Sequence, residues 1–431
     1  MPCRRPSAPD APFNSAALLH CPRIGRKKRE GRNASPLYPD KEQAMKHRML
    51  GKTGESVSIL GFGCMRLPVA GPDPSHIDED LAVAMIRKAL DLGVNYVDTA
   101  WPYHGARGFV EAGASEPLVG KALAGGYREK TKVATKLPTW LVKTRADMNR
   151  YLDLQLQRLQ SPYIDFYLAH TLNARYWEAM QQADLAGFFA EARKDGRIKH
   201  VGFSFHDRFS VFQEIVEGYD WDFAQIQYNY LDQNYQAGEE GLKLAARKGL
   251  GLVIMEPLRG GFLINQVPEV LRARLAGIRP AWSLADWALR WLWSRPEISV
   301  VLSGMSAMAQ VEENIRIACN VEPFTDGDEA ALAFTRDAFL SGIKVGCTGC
   351  GYCLPCPEGV NIPRNLMIYN DYFLTDNEGA RKHLKYVYGN LIFEPGEMAD
   401  RCLRCGQCEE KCPQQLPVGA AMADVAGVFC R

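Results

Sequence analysis

Cysteines crowd the C-terminal end of this chain. Of its 13 cysteines, nine lie among the last 85 of 431 residues, and eight of these form two groups of four. The first group reads Cys-x2-Cys-x2-Cys-x2-Cys-Pro and the second Cys-x2-Cys-x2-Cys-x3-Cys-Pro. Gaps of two residues let a tight loop place three thiolates around one iron–sulfur cubane, so the pattern predicts two [4Fe–4S] clusters. The eight candidate ligands are Cys347, Cys350, Cys353, Cys356, Cys402, Cys405, Cys408 and Cys412.

The cysteine before each proline has a separate predicted role. In two-cluster ferredoxins, the fourth cysteine of each run binds the other cluster. This crossing predicts that Cys412 joins the first three cysteines of the first group, and that Cys356 joins the first three of the second. The second group matches the bacterial spacing, whereas the first closes one residue early, so Cys356 departs from the pattern. The alternatives are a zinc ribbon, which needs only two Cys-x2-Cys pairs, and a set of disulfides.

The segment between the two groups predicts a helical domain. Residues 357–401 are too many for the linker of a compact ferredoxin, and residues 364–373 and 378–388 are compatible with helices. We therefore predict a mainly helical ferredoxin-like domain at residues 327–431.

A second set of reactive side chains lies in the middle of the chain. Asp98 and Tyr103 follow one short apolar run, Lys136 ends the next, and His170 ends the one after that. A tyrosine, with a reference pKa near ~10, can protonate a carbonyl oxygen when an ammonium group favours its ionised form. A carboxylate can hold that ammonium in place, and an imidazole can orient the carbonyl. Facing one cavity, these four side chains would form a set for acid catalysis.

The elements that must bring these four residues together are eight short β-rich runs alternating with helical segments. Eight parallel strands close a (β/α)8 barrel, whose chemistry lies at the C-terminal ends of the strands. A doubly wound sheet would alternate in the same way, but no Gly-x-Gly-x-x-Gly follows the first run, which counts against it. We predict an α/β fold, with a TIM barrel at residues 45–326. Its strands are predicted at 58–61, 96–99, 132–136, 164–170, 200–204, 224–228, 251–256 and 300–303. Its helices include 80–92, 146–159, 185–195, 239–248 and 284–293, and Gly93, Gly196 and Gly249 follow as caps.

Composition and charge narrow the class of protein. An apolar content of 47% predicts a globular chain with a large core. Residues 1–44 carry nine Lys and Arg against four Asp and Glu, an excess of five, which leaves −4 for the rest of a chain of net charge +1. Nucleic-acid binding is therefore not expected. No apolar run reaches the ~18 residues of a membrane span. We expect a cytoplasmic protein that keeps its thiols reduced, with residues 1–44 as a disordered basic extension.

Residues 45–320 resemble the aldo/keto reductase superfamily. The resemblance rests on the motifs Leu60-Gly-Phe-Gly-Cys-Met-Arg66, Asp98 with Tyr103, Ala134-Thr-Lys136, Asp165-Phe-Tyr-Leu-Ala-His170, Gly202-Phe-Ser-Phe-His206, Gln225-Ile-Gln-Tyr-Asn229 and Gln310-Val-Glu-Glu-Asn314. It implies that Tyr103 is the general acid, that Asp98 and Lys136 tune it, and that His170 orients the substrate. It also implies NADPH or NADH across the barrel mouth, with a carboxamide contact from Ser204 and Gln227. The positions implied for the cofactor are Ser204, Gln227, Met255, Pro257, Leu258, Ser303, Gly304, Ser306, Gln310 and Asn314.

The sequence departs from the family pattern in three respects. Met255 lies at the end of the seventh predicted strand, where the family commonly stacks an aromatic ring on the nicotinamide. Gly304 and Gln310 stand where many members place a lysine and an arginine against the 2′-phosphate of NADPH, which weakens the case for NADP over NAD. Residues 106–114 resemble an insertion at the pocket rim, where Phe109 and Trp140 are candidate walls.

The two halves pose a problem of electron counting. Hydride transfer moves two electrons, a cubane accepts one, and the sequence contains no flavin fingerprint. We therefore favour an NAD(P)H-dependent reductase of an aldehyde, ketone or sugar, in which the clusters are structural or sensory. One alternative is a ferredoxin-type protein that delivers single electrons to a substrate or a redox partner protein. The other is a non-catalytic sensor that binds nicotinamide.

Overall fold

The structure, a computed structural model, describes residues 44–71, 73–106, 110–375, 378–389 and 396–430. The predicted basic extension, apart from residue 44, and the predicted pocket wall Phe109 lie outside the described residues.

Eight parallel strands close a barrel, which confirms the predicted fold. Neighbouring strands follow chain order, and the last strand pairs with the first to close the ring. Buried side chains such as Tyr96, Phe166 and Phe223 fill the interior. The strands of the barrel are β3 (Leu60–Gly63), β4 (Tyr96–Asp98), β5 (Lys132–Leu137), β6 (Ile164–Leu172), β7 (Ile198–Phe205), β8 (Phe223–Gln227), β9 (Gly251–Met255) and β10 (Val300–Gly304).

An antiparallel hairpin closes the N-terminal end of the barrel. It consists of β1 (His47–Met49) and β2 (Ser56–Ser58). The sequence predicts the first barrel strand at residues 58–61, but Ser58 pairs with His47 in the hairpin and the strand begins two residues later. Leu50, in the turn of this hairpin, packs against the residues inside the barrel. The opposite, C-terminal end of the barrel is therefore the one left open for chemistry.

Helices surround the barrel, and the five predicted ones are present within two residues of their predicted ends. The predicted caps Gly93, Gly196 and Gly249 have φ values of 99°, 81° and 70°, in the left-handed region that glycine tolerates. The helices are α1 (Glu79–Asp91), α2 (Ser115–Leu123), α3 (Arg145–Arg158), α4 (Ala174–Gln182), α5 (Leu185–Lys194), α6 (Phe209–Gly218), α7 (Gly238–Arg247), α8 (Phe262–Asn265), α9 (Glu269–Ile278), α10 (Leu284–Trp293) and α11 (Met308–Cys319).

The helix after the barrel links it to the C-terminal region. This helix, α12 (Asp326–Gly342), contributes Leu332 and Phe339 to the apolar core of the barrel. Arg279 also forms an ion pair of 2.6 Å with Asp328 near its start. The sequence places the domain boundary at the start of this helix, whereas its packing joins it to the barrel.

The C-terminal region has a small apolar core of its own. It includes Val360, Leu366, Met422 and Val425, and the Tyr388 hydroxyl donates a hydrogen bond of 2.6 Å inside it. The helices predicted at 364–373 and 378–388 are both present. The helices of this region are α13 (Ile362–Leu374), α14 (Glu378–Val387), α15 (Gln407–Lys411) and α16 (Val418–Phe429). Among the helices that the structure describes, none is both long and apolar enough to span a membrane.

Candidate active site and cysteine centres

Three adjacent strands bring the predicted catalytic residues together. Lys136, near the end of β5, donates hydrogen bonds of 2.7 Å to the Asp98 Oδ1 atom and 2.7 Å to the Thr99 carbonyl oxygen. Its Nζ atom lies 3.3 Å from the Tyr103 hydroxyl oxygen. The ring of His170 lies edge-on to that of Tyr103, with centroids 6.1 Å apart. All four predicted side chains are buried, so this end of the barrel holds a preformed set of reactive groups.

Burial controls the protonation of this set. It raises the pKa of Tyr103 well above its usual value, and the nearby Asp98 carboxylate raises that pKa further. Burial lowers the pKa of His170 well below its usual value, and the Lys136 ammonium acts in the same direction. The Tyr103 hydroxyl is therefore protonated and the His170 imidazole neutral at neutral pH. The Arg66 guanidinium lowers the pKa of Tyr103, but burial outweighs this opposing effect.

The buried pair of Lys136 and Asp98 supports this arrangement. Burial lowers the pKa of Lys136 and raises that of Asp98, while the contact between them opposes both shifts. Removing either partner would leave the other as an uncompensated buried charge. The pair therefore holds the Lys136 ammonium beside the Tyr103 hydroxyl.

Among the four predicted catalytic side chains, two buried polar atoms have no hydrogen-bond partner among the described residues. They are Nδ1 of His170 and Oδ2 of Asp98. The ring of Trp140, a predicted pocket wall, lies 5.1 Å from that of His170. An unpaired buried polar atom is costly and commonly marks a functional site. His170 is thus positioned to hydrogen-bond a ligand.

A cavity of about 480 Å³ opens at the C-terminal end of the barrel. Asp98, Tyr103 and His170 all line it. Eight of the ten predicted cofactor positions also line it, namely Ser204, Met255, Pro257, Leu258, Ser303, Gly304, Ser306 and Gln310. Gln227 and Asn314 are not among the lining residues. Asn314 lies behind the wall, where its Nδ2 atom donates a hydrogen bond of 2.9 Å to the Ser303 hydroxyl.

Several lining residues were not predicted, although their motifs were visible. Gln225 lies beside Ser204 in the register of β7 and β8, and its Oε1 atom is buried without a partner among the described residues. Arg66 follows the first barrel strand, packs its stem against Gly304, and lies 3.6 Å from the Glu256 carboxylate. Strand alternation could have selected Gln225, which points to the same side as Gln227.

The C-terminal region forms part of the same cavity. It contributes Thr348, Cys350, Tyr352, Pro413 and Gln414 to the lining. Hydrogen bonds fix it to the barrel loops, from the Tyr235 hydroxyl to the Gln414 carbonyl oxygen at 2.6 Å and from Gln236 Nε2 to the Pro413 carbonyl oxygen at 3.1 Å. No local sequence pattern signals these contacts, because they join residues about 180 positions apart.

A glycine permits close approach on the other side of the cavity. Gly260, in the loop after β9, has a φ of 65°, and a Cβ atom there would lie 2.1 Å from the Thr348 carbonyl oxygen. The neighbouring Arg259 donates a hydrogen bond of 3.2 Å to the Gly346 carbonyl oxygen. The loop therefore packs directly against the first cysteine group.

The eight cysteines meet in the crossed arrangement that the sequence predicts. Cys412 lines one cavity with the three leading cysteines of the first group. Cys356 lines a second cavity with the three leading cysteines of the second group, and Cys353 borders this cavity as well. All eight are free of disulfides. Across the described residues, no three Cys, His, Asp or Glu side chains converge on a single ion; each set of four surrounds a space instead.

The loops around these cavities suit thiolate ligands. Gly349, Gly351 and Gly406 have positive φ values of 67°, 80° and 80°, which lets the chain turn sharply between cysteines. The Gly349 N–H donates a hydrogen bond of 3.4 Å to Cys347 Sγ. Four thiols at each centre are the donor set of a [4Fe–4S] cluster, so the residues fit the two predicted clusters.

The barrel and the cysteine-rich region match two different protein families. Residues 59–333 match the sequence model described as the Aldo/keto reductase family, and residues 346–416 match that described as the 4Fe-4S dicluster domain. L-galactose dehydrogenase of Arabidopsis thaliana is 29% identical over 319 residues, which cover 69% of this chain and 95% of that protein. NADH-specific methylglyoxal reductase of Escherichia coli is 25% identical over 341 residues, which cover 68% of this chain and 99% of that protein.

Solved structures show the same likeness. The holo form of aldo-keto reductase AKR11C1 from Bacillus halodurans is 27% identical, with a TM-score of 0.57. The alignment covers 68% of this chain and 96% of that one. The similarity is therefore to the barrel, and the cysteine-rich region is an addition to it.

Proposed function

Because the chain belongs to the aldo/keto reductase family of oxidoreductases, we propose that it reduces the carbonyl group of a small aldehyde, ketone or sugar with NADH or NADPH. The observation that carries this proposal is the buried contact of Lys136 with both Asp98 and Tyr103 beside the cavity. The names of two similar proteins, an L-galactose dehydrogenase and a methylglyoxal reductase, support a small oxygen-rich substrate.

The four residues divide the work of proton transfer. When bound, the reduced nicotinamide supplies the hydride. Tyr103 donates its hydroxyl proton to the carbonyl oxygen, and the Lys136 ammonium, 3.3 Å away, stabilises the phenolate that forms. Asp98 keeps Lys136 in place, and the neutral His170 ring orients the carbonyl. Burial excludes water, which strengthens each of these electrostatic effects.

The residues along the cavity suggest the identity of the dinucleotide. Gly304 and Gln310, at the positions implied for the 2′-phosphate, are neutral, and the Gln310 Oε1 atom accepts a hydrogen bond of 2.8 Å from the Ser306 N–H. These neutral groups favour NADH, as does the likeness to an NADH-specific reductase. Arg66 is the nearby cation that would oppose this preference.

We propose that the cysteine centres hold two [4Fe–4S] clusters, one bound by Cys347, Cys350, Cys353 and Cys412 and the other by Cys356, Cys402, Cys405 and Cys408. The clusters would hold together the small domain that covers the barrel mouth. The free cysteines of the described residues support a reducing compartment such as the cytosol.

One observation favours a second function. Cys350 lines both the first cysteine cavity and the catalytic cavity. A cluster at this position would lie beside the substrate and could pass single electrons to it, or receive them from a redox partner protein. The hydride reaction needs no such step, so the two functions differ in whether the clusters change oxidation state during turnover.

The proposed function is tested by assaying anaerobically purified protein against a panel of aldehydes, ketones and sugars. NADH and NADPH oxidation are followed separately, and iron and sulfide are counted on the same sample. Carbonyl-dependent oxidation of either dinucleotide supports the proposal. If the protein contains both clusters but turns over no member of the panel, the result would favour single-electron delivery or a non-catalytic nicotinamide sensor instead.

A further inference from the structure

A chain of amides leads from a buried carboxylate to the catalytic cavity. Asp232 accepts hydrogen bonds of 2.8 Å from Gln227 Nε2 and 2.9 Å from Asn229 Nδ2, and Arg259 Nε lies 3.4 Å from it. Because a carboxylate accepts hydrogen bonds, it determines which end of the Gln227 amide faces it. The Oε1 atom of Gln227 is therefore directed away from Asp232, where it meets Gln414.

Gln414 passes this orientation on to the cavity. Its Nε2 atom donates a hydrogen bond of 2.8 Å to Gln227 Oε1, and both side chains are buried. With the amide nitrogen held in this way, Gln414 Oε1 becomes a buried acceptor that has no partner among the described residues. Gln414 also lines the catalytic cavity. An unpaired buried acceptor in a cavity wall is stabilised when a ligand donates a hydrogen bond to it.

The neighbouring groups define the ligand chemistry. Gln225 Oε1 is a second buried acceptor of the same kind, and Gln225 lines the same cavity. The Ser204 hydroxyl oxygen accepts a hydrogen bond of 2.8 Å from the Thr171 N–H, which leaves the hydroxyl proton free to donate. Two acceptors and one donor match a primary carboxamide, which offers two N–H donors and one carbonyl acceptor.

We propose that Gln414, a residue of the cysteine-rich domain, binds the carboxamide N–H of the nicotinamide, an inference that rests on the proposed function. The dinucleotide site is then incomplete without this domain. Gln414 lies two residues after Cys412, a predicted cluster ligand, and the Tyr235 hydroxyl holds its main chain. Occupancy of the first cluster and affinity for the dinucleotide are therefore thermodynamically linked.

The test measures binding rather than turnover. Cluster-replete full-length wild type, Gln414→Ala and Gln415→Ala are titrated anaerobically with NADH and NADPH by fluorescence, and with the oxidised dinucleotide and its 3-acetylpyridine analogue by calorimetry. The analogue replaces the carboxamide NH2 with a methyl group. Gln415 is the matched control, because it is an exposed neighbour of the same type. Gln414→Ala should weaken dinucleotide binding by about 2- to 10-fold, the scale of one neutral hydrogen bond, while Gln415→Ala should not.

The analogue separates a ligand contact from general disruption. Wild type should bind the analogue more weakly than the carboxamide dinucleotide, and this difference should shrink in Gln414→Ala. An equal difference in wild type and Gln414→Ala would overturn the proposal. If Gln414→Ala loses iron, Gln414→Met, which keeps the side-chain length, replaces it in the same comparison. Wild type that binds neither NADH nor NADPH would overturn the proposed function itself, and this inference with it.

Discussion

The barrel and the cysteine-rich domain are each stabilised by a different kind of interior. The barrel fills its interior with its own apolar side chains, such as Phe166 and Phe223, and a hairpin closes one end. The cysteine-rich domain buries a much smaller apolar set around two groups of cysteines. Small cores commonly need a metal to remain folded. The barrel should therefore fold by itself, whereas the domain that completes its cavity should depend on the clusters.

The largest effect should be on the folding of the cysteine-rich domain, and it should follow the loss of a cluster. Cys405→Ala should abolish at least one cluster and unfold much of the cysteine-rich domain, while the barrel stays folded. Iron and sulfide analysis with limited proteolysis would show loss of iron and cleavage after about residue 343. Cys319→Ala removes a thiol outside both groups and should keep both clusters. A protein that retains full iron content in Cys405→Ala would refute the predicted ligand set.

The next effect concerns the chemistry of the barrel alone. Tyr103→Phe removes the proton donor, so kcat/KM for carbonyl reduction should fall by about 10²- to 10⁴-fold, the usual scale of general acid catalysis. Dinucleotide affinity and iron content should not change. Tyr127→Phe, which alters a half-buried tyrosine that donates a hydrogen bond to Asp91 outside the cavity lining, serves as the control. Near wild-type activity in Tyr103→Phe would remove this residue from the mechanism.

A smaller effect should follow from damage to the contact between the two regions. Gly260→Ala places a Cβ atom against the Thr348 carbonyl oxygen at a positive φ, a strain of roughly 1–3 kcal/mol. The cysteine-rich domain should become more sensitive to protease and the apparent affinity for the dinucleotide should fall. Gly277→Ala is the control, since a Cβ at that helical position meets nothing within 4 Å. Equal protease resistance of the two variants would show that this contact is dispensable.

The smallest effect concerns the pH dependence of the free energy of unfolding, which depends in part on His206 of the barrel. Burial lowers the pKa of His206, on the barrel side of the cavity, to about 4. Between about pH 4 and the ordinary histidine pKa of about 6.5, His206 is protonated in the unfolded state and neutral in the folded state. The free energy of unfolding therefore includes the full contribution of His206 above about pH 6.5 and loses up to ~1.4 kcal/mol per pH unit as the pH falls below it. Denaturation of wild type and His206→Gln from pH 7 to 5 would reveal this as a shallower slope in the variant. Parallel slopes would contradict it.

Sequence patterns were sufficient for the features with local signals. The position of Lys136 and His170 at strand ends follows from the β–α alternation, and the crossed cysteines follow from their spacing. The first barrel strand was shifted by two residues, because the apolar run around Ser58 serves both the hairpin and the strand. Gln414 and Tyr352 could not be predicted as cavity residues. Their role depends on how one region packs on the other, and 187 positions separate Gln414 from Gln227.

We propose that the barrel transfers hydride, while the cluster domain completes its cavity and accepts no electrons from the dinucleotide during turnover. Stopped-flow mixing of NADH or NADPH with oxidised, cluster-replete, flavin-free protein tests it directly, by following the broad iron–sulfur absorbance. We expect no bleaching within the time of one turnover, because the chain has no predicted group that converts two electrons to one. Bleaching by the dinucleotide alone, at a rate that matches turnover, would contradict this proposal and make the chain an electron-transfer enzyme.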